Sequence, residues 1–282
     1  MPWYIFALAS AIFFASQELL MRVLAIKTNS PRIFSVMFNL WGALFALIAF
    51  VLQGGSFMGL RALPLSQYML IATSGVAYGL YERYQFSARK DIDASSFSVI
   101  SSMTTVMAFI GAIFFLRESL TIAKALGTAL IVCASLLLVY KNPKLKLNRG
   151  MWYAFLCVIF LGITGVVDKP ASVHLQPALF SFLVWFFPIV IIAFPGVTAS
   201  DVRKELHIGG WKAVLAAILN VVGYILYIRA FALADASRVI PVSATSGILV
   251  VLGGILLLGE HDHMKRKLIA GALAFAGVYF LK

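Results

Sequence analysis

The feature that most limits how this chain can fold is a succession of long apolar runs with almost nothing between them. Ten are present, at roughly 3 to 24, 33 to 53, 65 to 86, 94 to 116, 119 to 140, 151 to 168, 177 to 195, 210 to 232, 236 to 258 and 265 to 281. Each is about 18 to 25 residues long, enough to cross a bilayer core as a helix. Hydrocarbon offers the backbone no water to bond, so a spanning run must satisfy its own N–H and C=O groups, as an α-helix does. Hydrophobic residues make up 62% of the chain and charged ones 12%, with a mean hydropathy of +0.96. Water is therefore not the solvent for most of this surface. The sequence predicts an all-α polytopic membrane protein of ten transmembrane helices, set in the plasma (inner) membrane with the lipid bilayer around it. The first run starts at Trp3 without a basic segment before it or a small-residue cleavage site after it, and reads as a retained span.

A six-residue pattern occurs twice. Tyr78, Gly79, Leu80, Tyr81, Glu82, Arg83 is matched 146 positions later by Tyr224, Ile225, Leu226, Tyr227, Ile228, Arg229. Phe34 and Ser35 match Phe180 and Ser181 at the same offset. Each copy closes an apolar run and leads into a small-residue turn, a Ser/Thr-rich run, an acidic residue (Glu118 or Glu260) and a last apolar run. The chain thus reads as two five-helix units, residues 1–145 and 146–282, joined by the basic linker from Lys141 to Arg149. Five is odd, so the second unit enters the membrane from the other side and the repeats are inverted.

The net charge of +12 does not point to nucleic acid, because Lys and Arg lie in the loops and not on one folded face. Sixteen of them fall on the side opposite the termini and seven on the side of the termini, which places both termini outside the cytoplasm. Cys133 and Cys157 lie inside predicted spans and read as packing residues. No phosphate-binding glycine loop, His-Glu-x-x-His or Ser-His-Asp order is present, so no enzyme, cofactor or resident metal is expected. Glu260, His261, Asp262 and His263 are the nearest approach to a metal set, and adjacent residues in one loop read as solvated.

Polar residues inside the runs draw the candidate site. Ser74, Tyr78, Tyr81, Glu82 and Gln85 form one helical stripe, repeated as Asn220, Tyr224 and Tyr227. Facing lipid, such a stripe would leave donors unsatisfied, so it faces protein or a water-filled cavity. The fourth run adds Ser98, Ser102 and Thr105, and the ninth adds Ser243 beside Pro241, a residue that frees a backbone carbonyl and bends the helix. Tyr78, Tyr81, Tyr224 and Tyr227 are expected to stack on or hydrogen-bond a small-molecule solute, with Ser98, Ser102, Asn220 and Ser243 as further polar contacts. Arg83 or Arg229 would hold a carboxylate, or else snorkel to the interface. Glu18 or Glu82 would carry a coupling proton, although Glu18 and Arg22 at i, i+4 can also neutralise each other.

From Ala94 to Glu118, followed by Gly127 and Ala134, and from Ala236 to Glu260, followed by Ala270 and Gly277, the chain resembles the drug/metabolite transporter superfamily in its ten-helix EamA-type form. The resemblance covers essentially the whole chain. It implies secondary transport of small solutes such as amino acids, other metabolites or drugs, through a central cavity between inverted halves. The chain departs from the family pattern where Thr105 and Gly247 stand at the usual proline positions, and where Arg117 stands for the first corner glycine. The resemblance also implies cytoplasmic termini, against the Lys/Arg distribution, which is the expectation kept. The combined reading is a proton-coupled exporter of small polar metabolites or amino acids, working by alternating access. A lipid or lipid-carrier flippase is the alternative, and a membrane-embedded enzyme a more distant one.

Overall fold

In the computed structural model the described residues are 1–25, 30–61, 63–91, 94–139, 149–250, 253 and 264–282. They form eleven α-helices and no strand. The first half holds α1 (Trp3–Ala25), α2 (Pro31–Leu52), the single-turn α3 (Met58–Arg61), α4 (Leu65–Asp91), α5 (Ala94–Phe115) and α6 (Ile122–Val139). The second half holds α7 (Arg149–Ser172), α8 (Pro177–Ala193), α9 (Ala199–Phe231), α10 (Ala236–Ala244) and α11 (Met264–Leu281). Apart from α3, each helix answers to one of the ten apolar runs, and the chain is an all-α polytopic membrane protein.

Local chemistry sets the helix ends. The helices α2 and α8 start on Pro31 and Pro177 after an extended residue, where the missing N–H has no intrahelical partner to lose. At the start of α9, Thr198 and Asp201 form a reciprocal capping box. Three boundaries depart from the sequence reading. The helix α7 continues past residue 168, through Pro170, to Ser172. The helix α9 begins at Ala199, and residue 210, where the apolar run starts, is a kink with Gly210 at φ 52° and ψ −157°. The ninth run breaks one turn after Pro241: α10 stops at Ala244, the Thr245 hydroxyl donates to the Val242 carbonyl at 2.6 Å, and helix resumes over 246–250.

The closest helix pairs cross between the halves: α4 with α7, α1 with α9, α2 with α8, while α6 packs on α11 at the rim. The first two are one pair seen from either repeat, the third spanning helix of one half on the first of the other, as an inverted duplication requires. At α6 and α11 the approach is backbone to backbone, since a Cβ on Gly277 would sit 2.7 Å from the Gly127 carbonyl oxygen. Large apolar side chains such as Ile12, Leu44, Phe114, Phe187, Val190 and Phe275 point outward, the surface that acyl chains cover. Both termini, the α5–α6 corner, the α7–α8 turn and the α9–α10 turn share one end of the bundle, the terminal end; α4–α5 and α8–α9 turn at the opposite end.

Candidate functional site

A cavity of about 390 Å³ lies between the halves, within the range of small-molecule sites. Its lining comes in repeat-related pairs. Tyr78 and Tyr224, Tyr81 and Tyr227, Asn39 and Trp185, and Glu18 and Thr164 correspond at the offset of 146, and Ser101 and Ser243, with Thr104 and Ser246, at 142. The cavity therefore sits where the two copies face each other. Gln17, Glu18, Met21, Glu82 and Gln85 carry the lining from mid-helix toward the opposite end. Rings form much of the wall: Tyr78 meets Tyr224 edge-on at 6.0 Å, and Phe38 meets Trp185 at 5.5 Å. The Trp185 side chain is buried with an unpartnered indole N–H, while Ser243 shares a 3.0 Å hydroxyl contact with Ser10 of α1.

Beneath this floor lies a carboxylate. Asp168 on α7 is 0% exposed. Its Oδ1 accepts from Ser74 Oγ at 2.6 Å, and its Oδ2 accepts from Tyr78 Oη at 2.8 Å and Tyr224 Oη at 2.7 Å. The two repeat-equivalent tyrosines thus converge on one oxygen and show their rings to the cavity. Among the described residues no Lys or Arg pairs with Asp168.

One residue further on, Lys169 turns toward the terminal end. Its Nζ donates to Glu118 Oε1 at 2.9 Å. Glu118 also accepts from the backbone N–H of Ala236 at 2.7 Å and of Ser237 at 2.9 Å, so it caps α10, where the helix dipole favours an anion. Burial pushes the Glu118 carboxyl up, but the donors at Ser237, Lys169 and Ala236 outweigh it and hold it below its ordinary value. Asp235 accepts from the buried Lys124 at 2.7 Å, the main cause of its own lowered pKa, and lies 3.7 Å from Lys169. Gln67 at the start of α4 donates to the Pro170 and Ala171 carbonyls at 3.0 and 2.6 Å, the unpaired end of α7. These ties close the terminal end.

At the opposite end, two arginines among the described residues tie α2 and α4 to α8. Arg32 donates from Nε to the Ile192 carbonyl at 2.7 Å and from Nη2 to Pro195 at 2.9 Å. Arg83 Nη1 donates to Ile191 at 3.0 Å and Phe194 at 2.6 Å. Both guanidiniums satisfy carbonyls at and just past the end of α8.

Of the residues expected to hold a solute, Tyr78, Tyr81, Asn220, Tyr224, Tyr227 and Ser243 line the cavity, as do Glu18 and Glu82. Ser102, Arg83 and Arg229 are not in its lining. Arg83 is instead spent on α8, and Arg229 is exposed. The Ser98 side chain and the loop from Glu260 to His263 lie outside the described residues. Glu82 accepts from Ser35 Oγ at 2.7 Å. The sequence reading passed over Asp168, because Asp168, Lys169 and Pro170 in succession look like the end of a span. The available signal was the pair Ser74 and Tyr78, donors at i, i+4 that need a common acceptor.

The family model of the EamA-like transporter family matches twice, over residues 1–140 and 148–282. The chain belongs to that family. It is accordingly a multi-pass membrane transporter of the drug/metabolite superfamily, with a small-molecule solute as its cargo. A protein of Sinorhizobium sp described as an uncharacterized transporter in the cobO 3'region is 29% identical over 136 residues, 48% of this chain and 95% of that protein. A protein of known crystal structure superposes with a TM-score of 0.76 at 15% identity, over 99% of this chain and 95% of the other. That likeness shows a shared fold.

Proposed function

We propose that this family member is a secondary exporter of small polar metabolites or amino acids in the plasma membrane, working by alternating access through the cavity between its halves. The observation that carries the reading is a cavity lined by repeat-related polar and aromatic pairs, with a network of ion pairs between the halves at the terminal end. Inverted repeats place a site at mid-membrane and let the two ends exchange roles. With the opposite end read as cytoplasmic from the Lys/Arg distribution, the part of the cavity lined by Gln17, Glu18 and Gln85 lies toward the compartment from which an exporter loads. Tyr78, Tyr81, Tyr224 and Tyr227 offer ring faces and hydroxyls, and Asn220 and Ser243 offer polar contacts for a solute's own hydrogen-bonding groups. Arg83 and Arg229 supply no cation in this state, which favours solutes recognised through neutral or cationic groups over simple carboxylates.

The test is a thermal-shift screen of the detergent-solubilised protein with amino acids and polar metabolites, followed by uptake of the hits into proteoliposomes. A solute that raises the melting temperature and loses that effect in Asn220→Ala and Tyr227→Ala supports the site. Flux no faster than into protein-free vesicles for every hit would sink the carrier reading. Proton coupling belongs to the same proposal, and flux that keeps its pH dependence in Glu18→Gln and Glu82→Gln vesicles removes those two cavity carboxylates from it.

A further inference from the structure

We propose that Asp168, clasped by Ser74, Tyr78 and Tyr224, is the proton-binding site that couples the cavity to closure of the terminal end; this deepens the carrier reading and rests on it. An ionised carboxylate with no exposure is costly at membrane depth, and no cation among the described residues offsets it. Three hydroxyl donors at 2.6 to 2.8 Å stabilise the charge, and such bonds are about twice as strong to a charged acceptor as to a neutral one. The titratable groups facing Asp168 are Tyr78 on α4 and Tyr224 and Tyr227 on α9. Neither α5 nor α8 carries an Asp, Glu, His, Lys or Arg. On α10, Arg238 reaches out to the Lys282 carbonyl, and Lys169 on α7 itself points to Glu118.

The route for the proton is the pair of tyrosine hydroxyls, because Tyr78 and Tyr224 touch both the cavity and Oδ2. A hydronium ion in the cavity gives up one proton, leaving water, and the carboxylate becomes a carboxylic acid. The relaying tyrosine passes its own hydroxyl proton to Oδ2 and takes one from the cavity side, so its bond to Asp168 reverses, the new acid O–H donating and the tyrosine Oη accepting. The other tyrosine keeps Oδ2 and Ser74 keeps Oδ1, both with weakened, uncharged bonds. A clasp across α4, α7 and α9 thereby slackens one residue away from Lys169, which ties the terminal end. Return of the proton to water restores it.

Infrared difference spectroscopy of the reconstituted protein reads this without any transported solute. Lowering the pH should bring up the C=O stretch of a buried carboxylic acid, lost in Asp168→Asn and kept in Glu18→Gln and Glu82→Gln. Ser74→Ala and Tyr224→Phe each remove a donor that favours the charged form, so each should move the midpoint of the band up by about one pH unit. These two variants carry the test if Asp168→Asn does not fold. A band that survives in Asp168→Asn, midpoints unmoved in both donor variants, or a band that follows sodium in place of pH would overturn the proposal. A protein that titrates at Asp168 yet moves no solute refutes the carrier reading alone. Proton-driven flux with no titration at Asp168 refutes this inference alone.

Discussion

Among the described residues, the ties at the two ends of the bundle differ in chemistry. At the terminal end a chain of charges, Lys124, Asp235, Lys169 and Glu118, joins the α5–α6 corner and α6 of the first half to α7 and the α9–α10 turn of the second. At the opposite end Arg32 and Arg83 cap one helix, α8, on one flank, and Gln17, Glu18 and Gln85 line the cavity. Those carbonyls lack a partner within the helix, so the arginines, although they reach α8 of the second half from α2 and α4 of the first, serve its C-terminal end. A network of unlike charges between two halves can be exchanged for water when the halves part. The first kind of tie holds a helix in place; the second has the character of a gate.

Removing the gate should give the largest effect. In Glu118→Ala, Lys169 loses its nearer partner while keeping Asp235 at 3.7 Å, and α10 loses its cap, a loss of about 2 to 3 kcal/mol for a partly exposed pair and a helix cap. The comparison also predicts accessibility. A single cysteine at Ser101, in a background with Cys133 and Cys157 replaced by serine, should react with an impermeant maleimide from the opposite end only. With Glu118→Ala added it should react from both. Labelling that stays one-sided would mean that the charge chain is not what closes the terminal end.

Acid should loosen the same end by less, since a protonated carboxyl still accepts hydrogen bonds. The folded pKa values of Glu118 and Asp235 lie below their ordinary ones, so their stabilisation is complete above the unfolded carboxylate range, near pH 4 to 4.5, and fades as pH falls through the folded values. The melting temperature of the detergent-solubilised protein should drop across that window, and Glu118→Gln should flatten the drop. At the opposite end, Arg83→Ala should cost about 1 to 2 kcal/mol for two charge-assisted bonds to a helix C-terminus. It should leave the labelling at Ser101 one-sided, and labelling that changes would show that the arginine tie is part of the gate as well.

The helices were legible because the bilayer leaves an apolar run of this length one way to satisfy its backbone. The tyrosine stripes were legible because the chain writes them twice. What lay hidden depends on partners far away in the chain. Asp168 looked like a span end until Ser74, Tyr78 and Tyr224 met it from two other helices. Arg83 looked like a solute ligand because its acceptors, carbonyls of Ile191 and Phe194, leave no mark in side-chain pattern. Glu118 likewise acts far from its place in the chain: it caps the N-terminus of α10 in the other repeat.

The smallest expected effect concerns the corner that delivers Glu118. Arg117 has φ 55°, a left-handed conformation that costs a residue with a Cβ roughly 1 to 2 kcal/mol. The turn swings the chain back so that the Glu118 N–H points to the Ala112 carbonyl at 3.4 Å, with its side chain across the gate. The resemblance noted from the sequence has glycine at this corner, and the geometry explains why: the position needs the turn, and the Arg117 side chain is exposed. Arg117→Gly should therefore raise stability by up to about 1 kcal/mol, reduced by the extra freedom glycine has when unfolded. Arg117→Val, β-branched at the same φ, should lower it, and both should leave Glu118 closing the terminal end in the labelling assay. A glycine variant that melts below the wild type would show that the guanidinium contributes to that end, and would move Arg117 into the charge chain beside Lys124 and Lys169.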